Sequence, residues 1–237
     1  MVGQVLLVNL ENGDGEAAVQ RIAHAEPELI AQGNELHPSL KKRGGGVTAV
    51  IGRVLPQAAG ARSGPGRGPM VVVHVTVDVR DSMGANTVTM ICEKLAPQLE
   101  EVARGTARMR ILSNLCPERV FTAEAVWTKE ELEASVKSMG LRGDEVVEAM
   151  LDASAFAEAD AFRACTHNKG IMNGIDAVAT ATLNDCRAIE SGAHCFASHG
   201  NDHYMPLSTY DVTPEGHLRG TIRIPLALGV RGISKKE

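Results

Sequence analysis

The chain has 237 residues, of which 44% are hydrophobic and 22% are charged, and its formal net charge is −5 at pH 7. These proportions are typical of a globular protein with enough material for one large domain or two modest ones. The negative charge argues against general nucleic-acid binding, and the longest apolar runs are too short to span a bilayer. We therefore expect a cytoplasmic protein with neither a membrane nor a nucleic-acid partner.

The first 115 residues alternate between strand and helix patterns. Strands are predicted at residues 2–10, 47–55, 70–79 and 107–115, helices at 16–36 and 84–104, and a Gly/Pro/Arg-rich loop at 58–69. The first helix is expected to be interrupted near Pro27. The order β-α-β-β-α-β predicts a ferredoxin-like domain, with two helices on one face of an antiparallel sheet. No GxGxxG follows the first strand, which argues against a Rossmann domain.

The pattern changes after residue 115, where we place a domain boundary between residues 1–115 and 116–237. A strand at 119–127 is followed by a short helix that begins with the capping-box sequence Thr128–Glu131. A long amphipathic helix is predicted at 143–164, then a helix that carries Lys169 and another that carries Asp185 or begins near it. Residues 203–210 and 217–224 are predicted to form a hairpin. The second part is therefore expected to be helix-rich.

Residues 163–190 concentrate charged and amide side chains among small residues. Lys169 and Asn173 are four residues apart and share one face of a helix, while Gly170 and Gly174 leave a bare strip where a backbone or ligand could approach. A lysine held there could stabilise negative charge developing on a carbonyl oxygen. The alternative is a solvated helix end. Asp185 is too distant along the chain to be a helical neighbour of Lys169, so any pairing between them must be tertiary.

The segment DSMGAN, residues 81–86, follows a buried-looking strand and opens a helix. Free N–H groups and the helix dipole at such a position can bind a pyrophosphate, and Gly84 would let a phosphate approach without a Cβ in the way. The alternative is an ordinary strand-to-helix turn that Asp81 or Ser82 caps.

Cysteines and histidines give no firm metal signature. The five cysteines are scattered without a CxxC pair, which indicates free thiols in a reducing compartment. His194, Cys195, His199 and His203 lie close together in the sequence, so a zinc site is conceivable there. Glycine and polar residues in the same stretch indicate a loop, and we expect no metal.

Four segments, in this order, carry a family resemblance: DSMGAN, RILSNL at residues 110–115, HNKGIMNGID at 167–176, and NDCRAIESGAH at 184–194. Together they resemble the HMG-CoA reductases, and more closely the bacterial and archaeal class II form. The resemblance implies an α+β protein in which a ferredoxin-like, dinucleotide-binding small domain is joined to part of a helix-rich substrate domain. It also implies NAD(P)H-dependent reduction of 3-hydroxy-3-methylglutaryl-CoA to mevalonate and CoA, or the reverse reaction, by a homodimer or larger homo-oligomer.

The resemblance also assigns roles to individual residues. Lys169 would be the catalytic lysine, and Asp185 would orient it and tune its proton. Arg163 and Asn173 would hold the carboxylate end of the substrate, and Asn114 would lie near the nicotinamide and the thioester carbon. The dinucleotide site would be lined by Asp81, Ser82, Met83, Gly84, Ala85 and Asn86.

The cofactor preference rests on a basic stretch. Some class II enzymes place an acidic residue in the first domain that favours NADH, but near that position this chain has His37, followed by Lys41, Lys42 and Arg43. A basic cluster would favour the 2′-phosphate of NADPH over NADH. A solvated helix end is the alternative.

The resemblance covers nearly the whole chain, but the chain corresponds only to a middle part of a family enzyme. The front part, with the catalytic glutamate, and the back part, with the histidine that protonates the leaving CoA thiolate, have no counterpart here. The alternative to a complete reductase is therefore a truncated, catalytically incomplete remnant that binds a dinucleotide or a partner chain.

Overall fold

The computed structural model describes residues 1–56 and 68–229, so most of the Gly/Pro-rich loop at 58–69 lies outside the described residues. The chain divides into two compact units. The first unit contains Met1–Asn114 and also residues 227–229, which the sequence pattern had assigned to the second domain. The second unit contains Leu115–Leu226.

The first unit is a four-stranded antiparallel sheet with two long helices. Its elements are β1 (Val2–Val8), α1 (Gly15–Glu35), α2 (Pro38–Lys42), β2 (Gly46–Val54), β3 (Val71–Asp78), α3 (Ala85–Ala103) and β4 (Thr106–Ser113). The strand order is β2-β3-β1-β4, and every neighbouring pair is antiparallel. This order, together with the βαββαβ connectivity, confirms the predicted ferredoxin-like fold.

The core of the first unit lies between the sheet and the helices. Val73 and Val75 on one face of β3 are fully buried, as are Ile91 and Leu95 on α3. The period-2 pattern of the strand and the helical period of α3 therefore meet in one apolar layer. Burial of this layer stabilises the unit.

The expected interruption at Pro27 is wrong, because α1 is one continuous helix with Pro27 inside it. Proline removes one helical hydrogen bond, to the carbonyl of Ala23. Ala23 is exposed, so water can solvate that carbonyl. Ile22 and Leu29 on the opposite side are buried and hold both halves of the helix against the sheet.

The second unit combines a small sheet with several helices. Its elements are β5 (Val120–Trp127), α4 (Lys129–Ser135), α5 (Gly143–Ala159), α6 (Ala161–Ala181), α7 (Cys186–Ser198), β6 (Ser208–Val212) and β7 (Leu218–Pro225). The strands form an antiparallel sheet in the order β5-β7-β6, with β6 and β7 as the predicted hairpin. The capping box at Thr128 and Glu131 is present.

The helix predicted at 143–164 is in fact two helices, which separate at Asp160. The backbone of Asp160 is extended, and its carboxylate accepts hydrogen bonds from the N–H groups of Phe162 (2.7 Å) and Arg163 (3.1 Å). Asp160 is thus the N-cap of α6, a role that aspartate performs well. Within the described ranges, no helix is both long and apolar enough to cross a membrane.

Candidate functional site

The turn that contains DSMGAN connects β3 to α3. The hydroxyl of Ser82 donates to the carbonyl of Val79 (2.7 Å), and Gly84 is the N-cap of α3 with a left-handed backbone. Across the part of the chain that the structure describes, α3 has no side-chain cap hydrogen bond, so neither Asp81 nor Ser82 caps it. The N–H groups in the first turn of a helix have no helical partners, and such groups commonly bind anions.

Gly84 is required for a reason that the sequence did not reveal. Its φ is +90°, and a Cβ there would lie 2.6 Å from Cγ1 of Val79, which is itself buried. The missing side chain therefore points into the protein and not toward a ligand. The explanation that glycine clears a path for a phosphate is wrong, although the first turn of α3 stays uncapped.

The six residues of the turn differ in exposure: Asp81 and Asn86 are exposed, Ser82, Met83 and Ala85 are half-buried, and Gly84 is buried. The two exposed side chains, at either end of the segment, are therefore the ones that are open to a ligand.

His37 has a structural role at the start of α2. Its Nδ1 accepts a hydrogen bond from the N–H of Leu40 (3.1 Å), so the imidazole is the N-cap of this short helix. Nδ1 also lies 3.1 Å from the hydroxyl of Ser39. Because Nδ1 accepts, the proton of the neutral ring is on Nε2, which is the atom left to donate to a ligand.

The glycines that follow the basic cluster at the end of α2 pack against the end of β3, just before the DSMGAN turn. The guanidinium of Arg80 donates to the carbonyl of Gly44 and forms an ion pair with Asp78 (3.4 Å). Lys42 and Arg43 are exposed beside this contact. Residues that are about forty positions apart in the sequence are therefore neighbours in the first unit.

The strand register places three predicted segments at one end of the first sheet. Gly46 at the start of β2 pairs with Asp78 at the end of β3. Val2 on β1 pairs with Thr76 on β3 and with Ser113 at the end of β4. Asn114, which is exposed, follows Ser113 directly. With strands about 4.8 Å apart, β3 and β4 on either side of β1 are roughly 10 Å apart, so the segments 37–46 and 81–86 and Asn114 lie within the length of a dinucleotide.

In the second unit, α6 presents the predicted substrate-binding residues. Lys169 and Asn173 are exposed on the same helix, and Arg163 is half-buried near its start. A Cβ added at Gly170 or Gly174 would meet nothing within 4 Å, so the predicted bare strip exists. A cation and an amide donor therefore stand beside a surface that has room for close approach of a ligand.

Asp185 lies at the other end of α6. It is the N-cap of α7 and accepts from the N–H of Ala188 (3.1 Å), while the thiol of neighbouring Cys186 lies 3.0 Å from the hydroxyl of Thr180. The same thiol lies 3.8 Å from the carbonyl of Asp176, which is seven residues, or about 10 Å of helix, from Lys169. Between the described residues Lys169 and Asp185 no ion pair within 4.0 Å is formed, so the role of Asp185 stays a prediction.

Sequence reasoning missed the two residues that precede Lys169. Asn168 is fully buried; its amide donates to the carbonyl of Met205 (2.9 Å) and accepts from the N–H of Leu207 (2.8 Å). His167 Nε2 lies 2.8 Å from the hydroxyl of Ser208, and burial, followed by the charge of Arg163, lowers the pKa of the imidazole. A usable signal existed, because Asn168 is spaced four residues from both Ala164 and Met172 on the apolar face of α6.

The histidines of the conceivable zinc site have other partners. Nδ1 of His194 lies 2.6 Å from the hydroxyl of Tyr204, and Nε2 of His203 lies 2.9 Å from the carbonyl of Glu158. Burial raises the pKa of the Tyr204 phenol. Among the described residues, no three His, Cys, Asp or Glu side chains are placed to hold a metal ion.

The fold defines an α+β protein whose first unit is ferredoxin-like and whose second unit presents a lysine on an open helix. A family model described as hydroxymethylglutaryl-coenzyme A reductase matches residues 1–235. The chain belongs to the hydroxymethylglutaryl-CoA reductase family, which confirms the resemblance seen in the four segments.

Two curated relatives support this membership. The 3-hydroxy-3-methylglutaryl-coenzyme A reductase of Archaeoglobus fulgidus is 44% identical over 236 residues, which cover 100% of this chain and 49% of the relative. A probable reductase of the same kind from Borreliella burgdorferi is 37% identical over 163 residues, or 68% of this chain and 36% of the relative. The chain thus spans about half the length of the A. fulgidus relative.

Solved structures support the same family membership. A class II 3-hydroxy-3-methylglutaryl-CoA reductase from Streptococcus pneumoniae, bound to NADPH in open conformations, matches with a TM-score of 0.83 and 37% identity. The match covers 98% of this chain and 59% of that one. A second structure from the same organism has a TM-score of 0.84, and the match covers 52% of it.

Proposed function

We propose that this chain carries the nucleotide-binding part and a portion of the substrate site of an HMG-CoA reductase. The reaction is the NAD(P)H-dependent reduction of 3-hydroxy-3-methylglutaryl-CoA to mevalonate and CoA, or its reverse. Two NAD(P)H molecules, bound one after the other, would each supply one hydride: the first would reduce the thioester to a hemithioacetal, and the second would reduce the aldehyde left after loss of CoA to the alcohol. The protein would hold the reactants and manage protons and charge.

One observation carries the nucleotide-binding part of the proposal: the segments 37–46 and 81–86 and Asn114 gather at one end of the first sheet. The uncapped first turn of α3 suits a pyrophosphate. Asn86 is exposed in that turn and can donate to a phosphate oxygen. Asn114 lies two strands away, where it would face the nicotinamide end.

The basic cluster supports a preference for NADPH. Lys42 and Arg43 are exposed and directly precede Gly44, which Arg80 contacts, and two cations there would attract the additional 2′-phosphate that distinguishes NADPH from NADH. The S. pneumoniae reductase, which shares this fold, is bound to NADPH. His37, through Nε2–H, would add one neutral donor.

On α6, Lys169 would donate to the substrate oxygen on which negative charge develops. Arg163, near the start of α6, and Asn173, on the same face of that helix as Lys169, would hold the distal carboxylate of the substrate. Asp185 would tune the proton of a lysine, but among the described residues it forms no ion pair with Lys169 of the same chain. A Lys169–Asp185 contact would therefore need a second copy of the chain or a different conformation, in line with the homo-oligomeric state expected for the family.

The lack of a Lys169–Asp185 ion pair within the described chain supports a second candidate function. The chain would then bind a dinucleotide or a complementary chain without completing the reaction. Both candidates require the first unit to bind the cofactor, and they differ in turnover.

Calorimetric titration of the purified chain with NADPH and, separately, with NADH tests the shared requirement. We expect saturable binding, weakened at least tenfold by Asn86→Ala for both nucleotides. Arg43→Gln should weaken the binding of NADPH several-fold and leave the binding of NADH unchanged. Lys94→Gln, an exposed change of the same kind on α3 but several turns from its start, is the matched control and should affect neither.

Absence of binding of either nucleotide to a folded sample would contradict the nucleotide-binding role. If both nucleotides bind, mixing the chain with HMG-CoA and following NADPH absorbance at 340 nm distinguishes a reductase from an incomplete relative.

A further inference from the structure

The segment Tyr204–Ser208, called here the strap, connects α7 to β6 and lies against α6. The N–H of Met205 donates to the carbonyl of Ala197 on α7 (2.9 Å). Asn168 on α6 then holds the strap through both its donor and its acceptor, at the carbonyl of Met205 and the N–H of Leu207. The strap therefore joins two helices at the level of the residue that precedes Lys169.

Asn168 is well matched to this position. Its side chain is fully buried, and the two backbone groups that it satisfies belong to one short segment. An amide offers an N–H and a C=O together, whereas aspartate would lose the donor and leucine would lose both. Buried polar groups without partners are costly, so the pair of bonds fixes the position of α6 against the strap.

Two further contacts flank this pair. His167 lies 2.8 Å from Ser208, which is itself buried, and Tyr204 bonds His194 of α7. Rotation of α6 about its axis would break the bonds at residues 167 and 168 together. The strap thus prevents rotation of α6 at the level where the side chain of Lys169 projects from the helix.

Little else on α6 resists such a rotation. On the exposed side, Gly170 and Gly174 have open space beyond them. On the buried side, Met172 is the one large apolar side chain among the buried residues of α6, whereas Ala164 and Ala179 are small. Directional bonds to the strap therefore add to the orientation that packing supplies.

We propose that Asn168 is a positioning residue: by clamping the strap it sets the direction in which Lys169 projects, without touching substrate itself. The proposal rests on the proposed function for the meaning of Lys169, but the geometry can be tested separately. Ser208 supports the same clamp through His167 and is the milder site for substitution.

The experiment compares Asn168→Asp with Ser208→Ala and with the control Val147→Ala, a buried truncation on α5 away from the strap. Two quantities are measured well below the unfolding midpoint of each variant. The first is the affinity for 3-hydroxy-3-methylglutarate, the dicarboxylate that represents the substrate acyl group, by calorimetry. The second is the NMR chemical shift of the Lys169 side chain and its titration, assigned with Lys169→Arg.

We expect Asn168→Asp to weaken the binding of the dicarboxylate at least tenfold and to change the chemical shift of Lys169. Ser208→Ala should change both quantities in the same direction but less. Val147→Ala should lower stability and leave both quantities unchanged. If the unchanged chain fails to bind the dicarboxylate, the proposed substrate site is refuted while the Lys169 signal still decides the positioning role. An unchanged Lys169 signal in Asn168→Asp, or an equal change in Val147→Ala, overturns the proposal. If Asn168→Asp does not fold, Ser208→Ala decides by the same two quantities.

Discussion

Gly84→Ala should destabilise the first unit by a large fraction of its stability. A left-handed backbone costs a non-glycine residue about 1–2 kcal/mol. The new methyl group would also lie 2.6 Å from Cγ1 and 2.8 Å from Cγ2 of Val79, and overpacking of this kind costs typically about 1–3 kcal/mol. The sum is about 2–5 kcal/mol, against roughly 5–15 kcal/mol for a typical domain. Urea denaturation, followed by the amide NMR signals of the first unit, measures the loss of free energy of unfolding.

The same substitution at Gly174 is the matched control. Gly174 is inside α6, its φ is not positive, and an added Cβ meets nothing within 4 Å. Alanine should therefore stabilise the second unit by about 0.5–1 kcal/mol through helix propensity. The reasoning is refuted if Gly84→Ala costs less than about 1 kcal/mol, or if the two substitutions change stability with the same sign. Because α3 would begin in a displaced position, Gly84→Ala should also weaken the binding of NADPH.

Other predictions concern protonation and capping. Because burial lowers the pKa of His167 below its ordinary value of 6.5, the unfolded state takes up the proton first as the pH falls. The second unit should therefore lose stability as the pH drops through 6.5, as measured by fluorescence of its single tryptophan, Trp127, and His167→Gln should flatten that dependence. Burial raises the pKa of Cys92 to about 12, so a thiol reagent at mildly alkaline pH should modify exposed Cys165 rapidly and Cys92 only on unfolding; rapid modification of Cys92 in the native chain would contradict its burial. Asp185→Ala should cost about 1 kcal/mol by removing the N-cap of α7, whereas Asp185→Asn should keep the cap, and an equal loss in both would mean that the charge matters more than capping.

The sequence identified most elements because local signals and burial agreed. The valine-rich β3 shows the alternation of a strand that is buried on one face, and the capping box at Thr128 marks the start of α4. The two wrong helix predictions have different causes. The break at Asp160 is marked by a local N-cap signal, but that signal lies inside a long apolar pattern that favours one helix. The continuity of α1 through Pro27 depends on packing against the sheet, and a short sequence window contains no information about that packing.

For the candidate site, the sequence alone identified the four segments that resemble the family, and it predicted that Lys169 and Asn173 share one helix face with Gly170 and Gly174 at the same spacing. Helical periodicity is local, so four-residue spacing was sufficient. Only the tertiary structure decided that Gly44, after α2, meets Arg80 at the end of β3, that Asn168 holds the strap, and that Asp185 forms no ion pair with Lys169 within the described chain. Those contacts join residues tens of positions apart, and their geometry is set by strand register and helix packing, which arise only when the whole unit folds.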